Sequence, residues 1–115
     1  IGAVLHPRSV NATVLSRLVR GDRLVLQDYE LQKAFAGVTT HEGQVEVPIF
    51  DNDQDIARLA SRVQPWLEAH PHCPGYLIRG HGLYTWGARM SDALRQVEAF
   101  EFLFECELKV LSLSR

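Results

Sequence analysis

The chain has 115 residues, of which 46% are hydrophobic and 23% charged, and its formal net charge at pH 7 is -2. This composition is typical of one globular domain and excludes a fibrous or disordered chain. The weakly acidic balance gives no general attraction to nucleic acid or to an anionic membrane, so we expect a small-molecule or protein partner. With only two cysteines and no apolar run approaching the roughly 18 to 20 residues that span a bilayer, we expect a cytoplasmic protein.

Strand-like and helix-like segments alternate in the first part of the chain. Apolar residues 1–5 predict a strand that leads directly into His6. Apolar side chains then recur at helical spacing, which predicts a helix over about 9–19. Residues 24–26 follow as a short buried strand, and 28–35 predict either a short helical stretch or a loop.

The middle of the chain contains the strongest amphipathic pattern. Residues 45–49 alternate apolar and polar side chains and predict a strand, which Pro48 places at a sheet edge or at a strand end. The clear helix that follows has an apolar face spanning 56–67 and a cap at Asn52 or Asp53. Because Pro65 lies within this pattern, we expect a kink or an early end of the helix.

Two strand-like runs, 76–79 and 83–86, flank a glycine-bracketed histidine near the C-terminal third. Ser91 is expected to cap a long final helix that extends to about Leu111 and covers the sheet. The side chains expected to point inward from this helix are Leu94, Val97, Phe100, Leu103, Phe104, Leu108 and Leu111. Alternating strands and helices indicate a layered α/β domain.

Two histidines occupy positions that suit a site. His6 ends a strand and His81 lies in a tight turn, and both positions offer side chains to a cleft on rigid supports. An isolated histidine is more often a surface or structural residue than a metal ligand. His41, His70 and His72 lie in less suggestive surroundings.

Three segments together resemble the class II aldolase/adducin family. They are Gly2–His6, Tyr29–Lys33 and Gly75–Gly87, and their order and spacing match that family along essentially the whole chain. The resemblance implies a three-layer α/β/α fold that is incomplete at the N-terminus, with 1–115 as the C-terminal portion of a single domain. The family's N-terminal half, which holds the loop that grips the substrate phosphate, would then be missing.

The resemblance also implies a site. It assigns His6 and His81 as ligands of Zn²⁺ and Glu30 as the catalytic acid/base. The family's second histidine ligand falls at Arg8, and the permanently protonated guanidinium of arginine has no lone pair for a cation. We therefore expect this chain to bind zinc weakly.

Within the family, the stretch His81–Gly87 and the glutamates of the last helix are most similar to hydro-lyases of methionine salvage, which remove water from a sugar phosphate. The implied partners are that small-molecule substrate and further copies of the chain, since relatives are homotetramers. Two alternatives remain. One is an aldolase or epimerase of the same family acting on another sugar phosphate. The other is a non-catalytic, adducin-like interaction domain.

Overall fold

The computed structural model describes residues 2–30, 35 and 43–113. These ranges contain both strands and helices, as the sequence predicts. The elements are β1 (Ala3–Leu5), α1 (Val10–Leu18), β2 (Arg23–Gln27), β3 (Gln44–Phe50), α2 (Ile56–Ala69), β4 (Gly75–Ile78), β5 (Gly82–Gly87) and α3 (Met90–Leu113). None of the helices in these ranges is both long and apolar enough to cross a membrane.

The strands form one mixed sheet in the order β1-β5-β4-β3-β2. β3 and β4 are parallel, whereas the other neighbouring pairs are antiparallel. This arrangement brings the last residues of β1, β3 and β4 and the first residues of β2 and β5 to one end of the sheet, which we call the histidine end. The opposite end, where β2 and β5 stop, is called the far end.

The main hydrophobic core lies between the sheet and two helices. α1 and α3 pack against the same face, and α3 contacts β5, β1 and α1. Phe100 and Phe104 of α3 are fully buried, as the apolar periodicity predicts. α2 contributes to the other face, where Trp66 meets Phe50 edge-on with ring centroids 6.2 Å apart. The expected layered α/β fold is therefore confirmed.

The long helix α3 differs from the prediction in its start and in its inward face. It begins at Met90, so Ser91 lies inside it, and the carbonyl of Arg89 accepts the first helical hydrogen bonds. The carboxylate of Asp92 accepts from the backbone N–H of Arg89, which closes this end. Leu94, which we expected inside, is 48% exposed, whereas Gln96 is buried.

Helix α2 also differs in its cap. Asp55, not Asn52 or Asp53, is the N-cap, and its side chain accepts a hydrogen bond from the N–H of Arg58. Asp53 instead pairs with Arg58 and Arg62. The hydrogen bond from Arg58 holds the pKa of the Asp53 carboxyl well below its usual range. The helix continues past Pro65 to Ala69, so the expected early end is wrong.

Pro48 does not mark a sheet edge, because β3 lies between β2 and β4 in the interior of the sheet. The strand-end alternative fits better. Pro48 lies opposite Arg23, the first residue of β2, and pairing with β4 begins at the next residue, Ile49. A residue without an N–H is tolerated where ladder hydrogen bonds begin or stop.

Candidate metal centre

The structure brings His6 and His81 together at the histidine end of the sheet. Their Nε2 atoms are 3.1 Å apart and their ring centroids are 4.9 Å apart. Two nitrogen ligands of a tetrahedral zinc ion, each about 2.0 to 2.1 Å from the metal, lie about 3.3 to 3.4 Å from each other. The two imidazoles are thus close enough to share one ion.

A backbone carbonyl orients the first of these rings. His6 Nδ1 lies 2.7 Å from the carbonyl oxygen of Leu83. A carbonyl oxygen can only accept, so Nδ1 carries the proton and the Nε2 lone pair faces His81. Metal-binding histidines are commonly oriented by this kind of contact, which fixes both the tautomer and the ring plane.

Glycine at position 82 allows the close approach. Its φ of 152° is unfavourable for residues with a side chain, and a Cβ placed there would lie 3.2 Å from Cε1 of His6. Any larger residue at the start of β5 would therefore press on the His6 ring. Glycine on the C-terminal side of His81 therefore suits both the backbone conformation and the close packing of the His6 ring.

An aromatic stack supports His6 from the other side. Its ring lies parallel to that of Tyr84, with centroids 4.0 Å apart and an interplanar angle of 8°. Tyr84 in turn stacks on Tyr76 at 5.1 Å. Since both tyrosines belong to the β4–β5 hairpin, the orientation of His6 is tied to the central sheet.

The turn that carries His81 is anchored to the C-terminal end of α1. Arg79 Nη1 lies 2.7 Å from the carbonyl oxygens of both Ser16 and Val19, and Nη2 donates to that of Gly21. The N–H of Gly80 donates to the Ser16 hydroxyl at 2.9 Å. α1 begins just after His6, so one helix connects both histidine-bearing segments.

The histidine pair opens into a cleft of about 760 Å³. Its lining consists of His6, Arg8, Ser9, Val10, Thr13, Val14, Gly80 and His81. Arg8 therefore lines the same cleft as both imidazoles. In the described part of the chain, no group of three or more His, Cys, Asp or Glu side chains could hold a metal ion. The donor set at this cleft consists of two imidazoles, with a guanidinium that lines the same space.

The other candidate side chains lie elsewhere. Nδ1 of His70 lies 2.8 Å from the carbonyl oxygen of Trp66, and its ring stacks on that side chain at the end of α2. His72 is exposed in the loop before β4. Glu46 pairs with Arg23. His41 lies outside the described residues.

Glu30 does not join the histidine pair within one chain. β2 runs away from the histidine end, and Glu30 follows its last residue, Gln27. Strand rise and strand spacing put that end of β2 roughly 25 Å from Gly82. The neighbouring Tyr29 donates a hydrogen bond of 2.8 Å to Glu107, far along α3. The expected convergence of His6, Glu30 and His81 in one cleft is therefore not found in the single chain.

Three supports of the site were not predicted from the sequence: the Leu83 carbonyl, the Tyr84 ring and the Arg79 anchor. The stack on Tyr84 depends on the pairing of β1 with β5, which no local pattern in the sequence predicts. The contact between His6 and the Leu83 carbonyl could not be predicted from the sequence, because every residue carries a backbone carbonyl. The contacts that anchor Arg79 to the end of α1 are likewise with backbone carbonyls, and its one carboxylate partner is Asp51.

Comparison with known proteins gives a consistent set of similarities. The family model for the Class II Aldolase and Adducin N-terminal domain matches residues 1–108. Methylthioribulose-1-phosphate dehydratase of Pseudomonas aeruginosa PAO1 is 98% identical over all 115 residues, which cover 56% of that protein. The enzyme of the same name from Pseudomonas syringae pv. tomato DC3000 is 82% identical over 110 residues, 96% of this chain and 54% of that protein. The chain thus spans about half the length of these curated relatives.

A solved structure shares the fold. The crystal structure of an aldolase II superfamily protein from Pseudomonas syringae aligns with a TM-score of 0.63 and 21% identity. The alignment covers 96% of this chain and 40% of the other. At this level of identity, the similarity concerns the arrangement of the elements and not the chemistry of the site.

Proposed function

Since the chain belongs to the class II aldolase and adducin family, we propose that it is part of a hydro-lyase that removes water from methylthioribulose 1-phosphate in methionine salvage. The observation that carries the proposal is the His6–His81 pair, held 3.1 Å apart in a cleft. The near identity to a protein named for this reaction supports the choice of substrate. The activity is proposed for the whole protein, of which these residues are about half of the length seen in relatives. A cytoplasmic location belongs to the same proposal.

Zinc is the proposed cation, with His6 and His81 as two of its ligands. The Leu83 carbonyl keeps the proton of His6 on Nδ1, so that Nε2 remains available. When bound, zinc would supply a Lewis acid that polarises the ketone of the substrate. The described residues provide no third nitrogen, sulfur or carboxylate ligand beside the pair.

Glu30 is the proposed acid/base. Its carboxyl group would give a proton to the departing hydroxyl, which then leaves as water. Since Glu30 lies at the far end of the sheet, it would have to serve the histidine pair of a neighbouring copy. A head-to-tail ring, such as a tetramer, would bring the far end of one subunit to the histidine end of the next.

Zinc titration of this chain tests the ligand assignment. We expect His6→Ala and His81→Ala each to lower the affinity for zinc at least about tenfold, because each removes one of two imidazoles. His72→Ala is the matched control, since that histidine is exposed and outside the cleft. Equal affinities in all three variants would exclude the pair as the metal site.

Subunit mixing tests the shared site. In the whole protein carrying these residues, Glu30→Gln and His81→Ala should each abolish the loss of water when assayed alone. Mixed subunits should recover part of the activity, because some sites would combine an intact Glu30 with an intact histidine pair. If mixing restores nothing while the two variants co-assemble, Glu30 does not act across subunits.

Two other functions remain candidates. An aldolase or epimerase would convert a different sugar phosphate, so incubating the whole protein with methylthioribulose 1-phosphate and with fuculose 1-phosphate separates them by product. A non-catalytic interaction domain is favoured by one observation, the presence of Arg8 in the cleft. Absence of zinc from the purified protein together with a stable protein complex would support that alternative.

A further inference from the structure

Arg8 has no partner that would explain its position. In the described ranges it takes part in no ion pair or hydrogen bond, yet it lines the histidine cleft. Other arginines are engaged by carboxylates or carbonyls: Arg23, Arg58, Arg62, Arg79 and Arg89. The guanidinium of Arg8 is therefore available to a ligand that enters the cleft.

The rest of the lining has matching chemistry. Two imidazoles and the residues Ser9 and Thr13 stand beside the guanidinium, and none of the described lining residues is acidic. Arg17 places a second cationic side chain close to the cleft. Its Cδ atom would lie 3.9 Å from a Cβ atom built on Gly80, which is one of the lining residues. No contact in the described part of the chain neutralises it. The chain as a whole is acidic, so this cleft is a local concentration of positive charge.

We infer that the cleft is a binding site for a phosphate-class oxyanion, with Arg8 as its principal contact. A guanidinium presents a planar fork of N–H donors that matches two oxygens of a phosphate, which makes arginine well suited to this ligand. His6 and His81 line the same space beside the guanidinium. The inference goes beyond the proposed dehydratase and does not require a metal, because every group it uses belongs to this chain.

The test is a titration of the 115-residue chain with inorganic phosphate at pH 7 and constant ionic strength, with EDTA present. Amide chemical shifts in isotope-labelled protein report binding. We expect saturable shifts at Arg8, Ser9, Gly80 and His81, and an affinity at least about tenfold lower in Arg8→Ala. Arg8→Lys should retain part of the affinity, because the charge remains but the fork is lost.

Arg95→Ala is the matched control, since Arg95 is exposed on α3 and also makes no ion pair or hydrogen bond in the described ranges. It should bind phosphate as the parent does. The inference is overturned if Arg8→Ala retains the parent affinity, if Arg95→Ala loses as much, or if no shift saturates. Unchanged amide spectra of the free variants establish that they are folded.

Two further ligands identify the source of the oxyanion. Tighter binding of ribose 5-phosphate than of inorganic phosphate would support the site and assign it to a sugar phosphate. Equal affinities for these two ligands would support a site for the free anion. If unphosphorylated ribose binds as tightly as ribose 5-phosphate, the inference is overturned. The metal is chelated throughout, so the result is independent of the zinc titration that tests the proposed function.

Discussion

At the scale of single residues, Arg8 puts a fixed positive charge into the histidine cleft. We predict that Arg8→His raises the affinity for zinc at least about tenfold, which corresponds to about 1.4 kcal/mol. The substitution supplies a neutral imidazole beside His6 and His81 and removes a fixed positive charge from the cleft. Zinc titration at pH 7 measures the effect.

Arg20→His is a suitable control for this substitution, because it adds a histidine just beyond the C-terminal end of α1 and outside the cleft lining. Its zinc affinity should match that of the parent. Equal affinities of Arg8→His and the parent would mean that Pro7 turns residue 8 away from the histidine pair. Arg8→His should also weaken the binding of phosphate. The affinities for zinc and for phosphate are therefore expected to change in opposite directions in this variant.

Cys73 gives a second prediction at this scale. Burial raises the pKa of its thiol to about 11, from an ordinary value of 9.0. Because the thiolate is the reactive form, alkylation by iodoacetamide at pH 8 should be about a hundredfold slower in the folded chain than in the unfolded chain. The folded rate should keep rising with pH up to about 11, whereas the unfolded rate levels off above about 9.

Mass spectrometry of a Cys106→Ser variant, with and without urea, measures both rates at one cysteine. If Cys73 reacts at the same rate in the folded and unfolded states, its thiol is neither buried nor shifted as described.

At the scale of elements, α3 offers a matched pair of phenylalanines. Phe104 is fully buried in the main core, whereas Phe102 is 57% exposed on the same helix. Phe104→Asp should lower the free energy of unfolding by several kcal/mol, about 3 to 5, because it puts an unpaired carboxylate into the core and removes a buried ring. Phe102→Asp should change it by about 0.5 kcal/mol or less.

Urea unfolding followed by circular dichroism compares these two variants. A neutral result for Phe104→Asp would mean that this face of α3 is not packed in solution, and equal losses would mean that the helix tolerates no charge on either face.

Periodicity predicted the helices well, but it did not predict their details. It identified α3 and its fully buried rings because apolar side chains at spacings of three and four share one face. It also placed Leu94 inside, although that side chain is exposed, and gave no hint that Gln96 is buried. Nε2 of Gln96 lies within 3.1 Å of Pro74 O, Thr85 Oγ1 and Trp86 O. Such a partner set is formed by tertiary packing and leaves no pattern in the sequence.

The predicted N-cap of α2 was wrong for a related reason. Asn52, Asp53 and Asp55 are all good N-cap residues, so composition alone could not rank them. In the structure Asp55 is the cap, whereas Asp53 pairs with Arg58 and Arg62. The residue types predicted a cap in this region but not which of the three residues supplies it.

At the scale of the whole molecule, the separation of Glu30 from the histidine pair predicts self-association. Apolar side chains remain exposed on the sheet and on α2, including Val4 and Ile56, and a neighbouring copy would cover part of this surface. We expect sedimentation to show species larger than a monomer. A stable monomer at high concentration would contradict both this expectation and a site shared between subunits.

The histidine pair could be predicted from the sequence only through the resemblance of three separated segments to a known family. Local pattern put His6 at a strand end and His81 in a turn, but it could not show that β1 pairs with β5, 75 residues or more away. The position of Glu30 was missed for the same reason. Its distance from the cleft depends on the direction of β2 in the sheet, and strand direction is not encoded in the periodicity of a strand.

The pairing of β1 with β5 has a consequence for biosynthesis. A ribosome makes His6 about eighty residues before it makes Gly87, the residue that closes the ladder opposite Ala3. Until β5 emerges, the described part of the chain offers β1 no neighbouring strand, and an unpaired backbone is open to wrong contacts with other nascent chains. The histidine pair is therefore completed late in synthesis, and a ribosome that stalled before β5 would release a chain without it. Non-local closure of this kind also slows folding. Refolding yield should therefore respond to chaperones that shield a single unpaired strand.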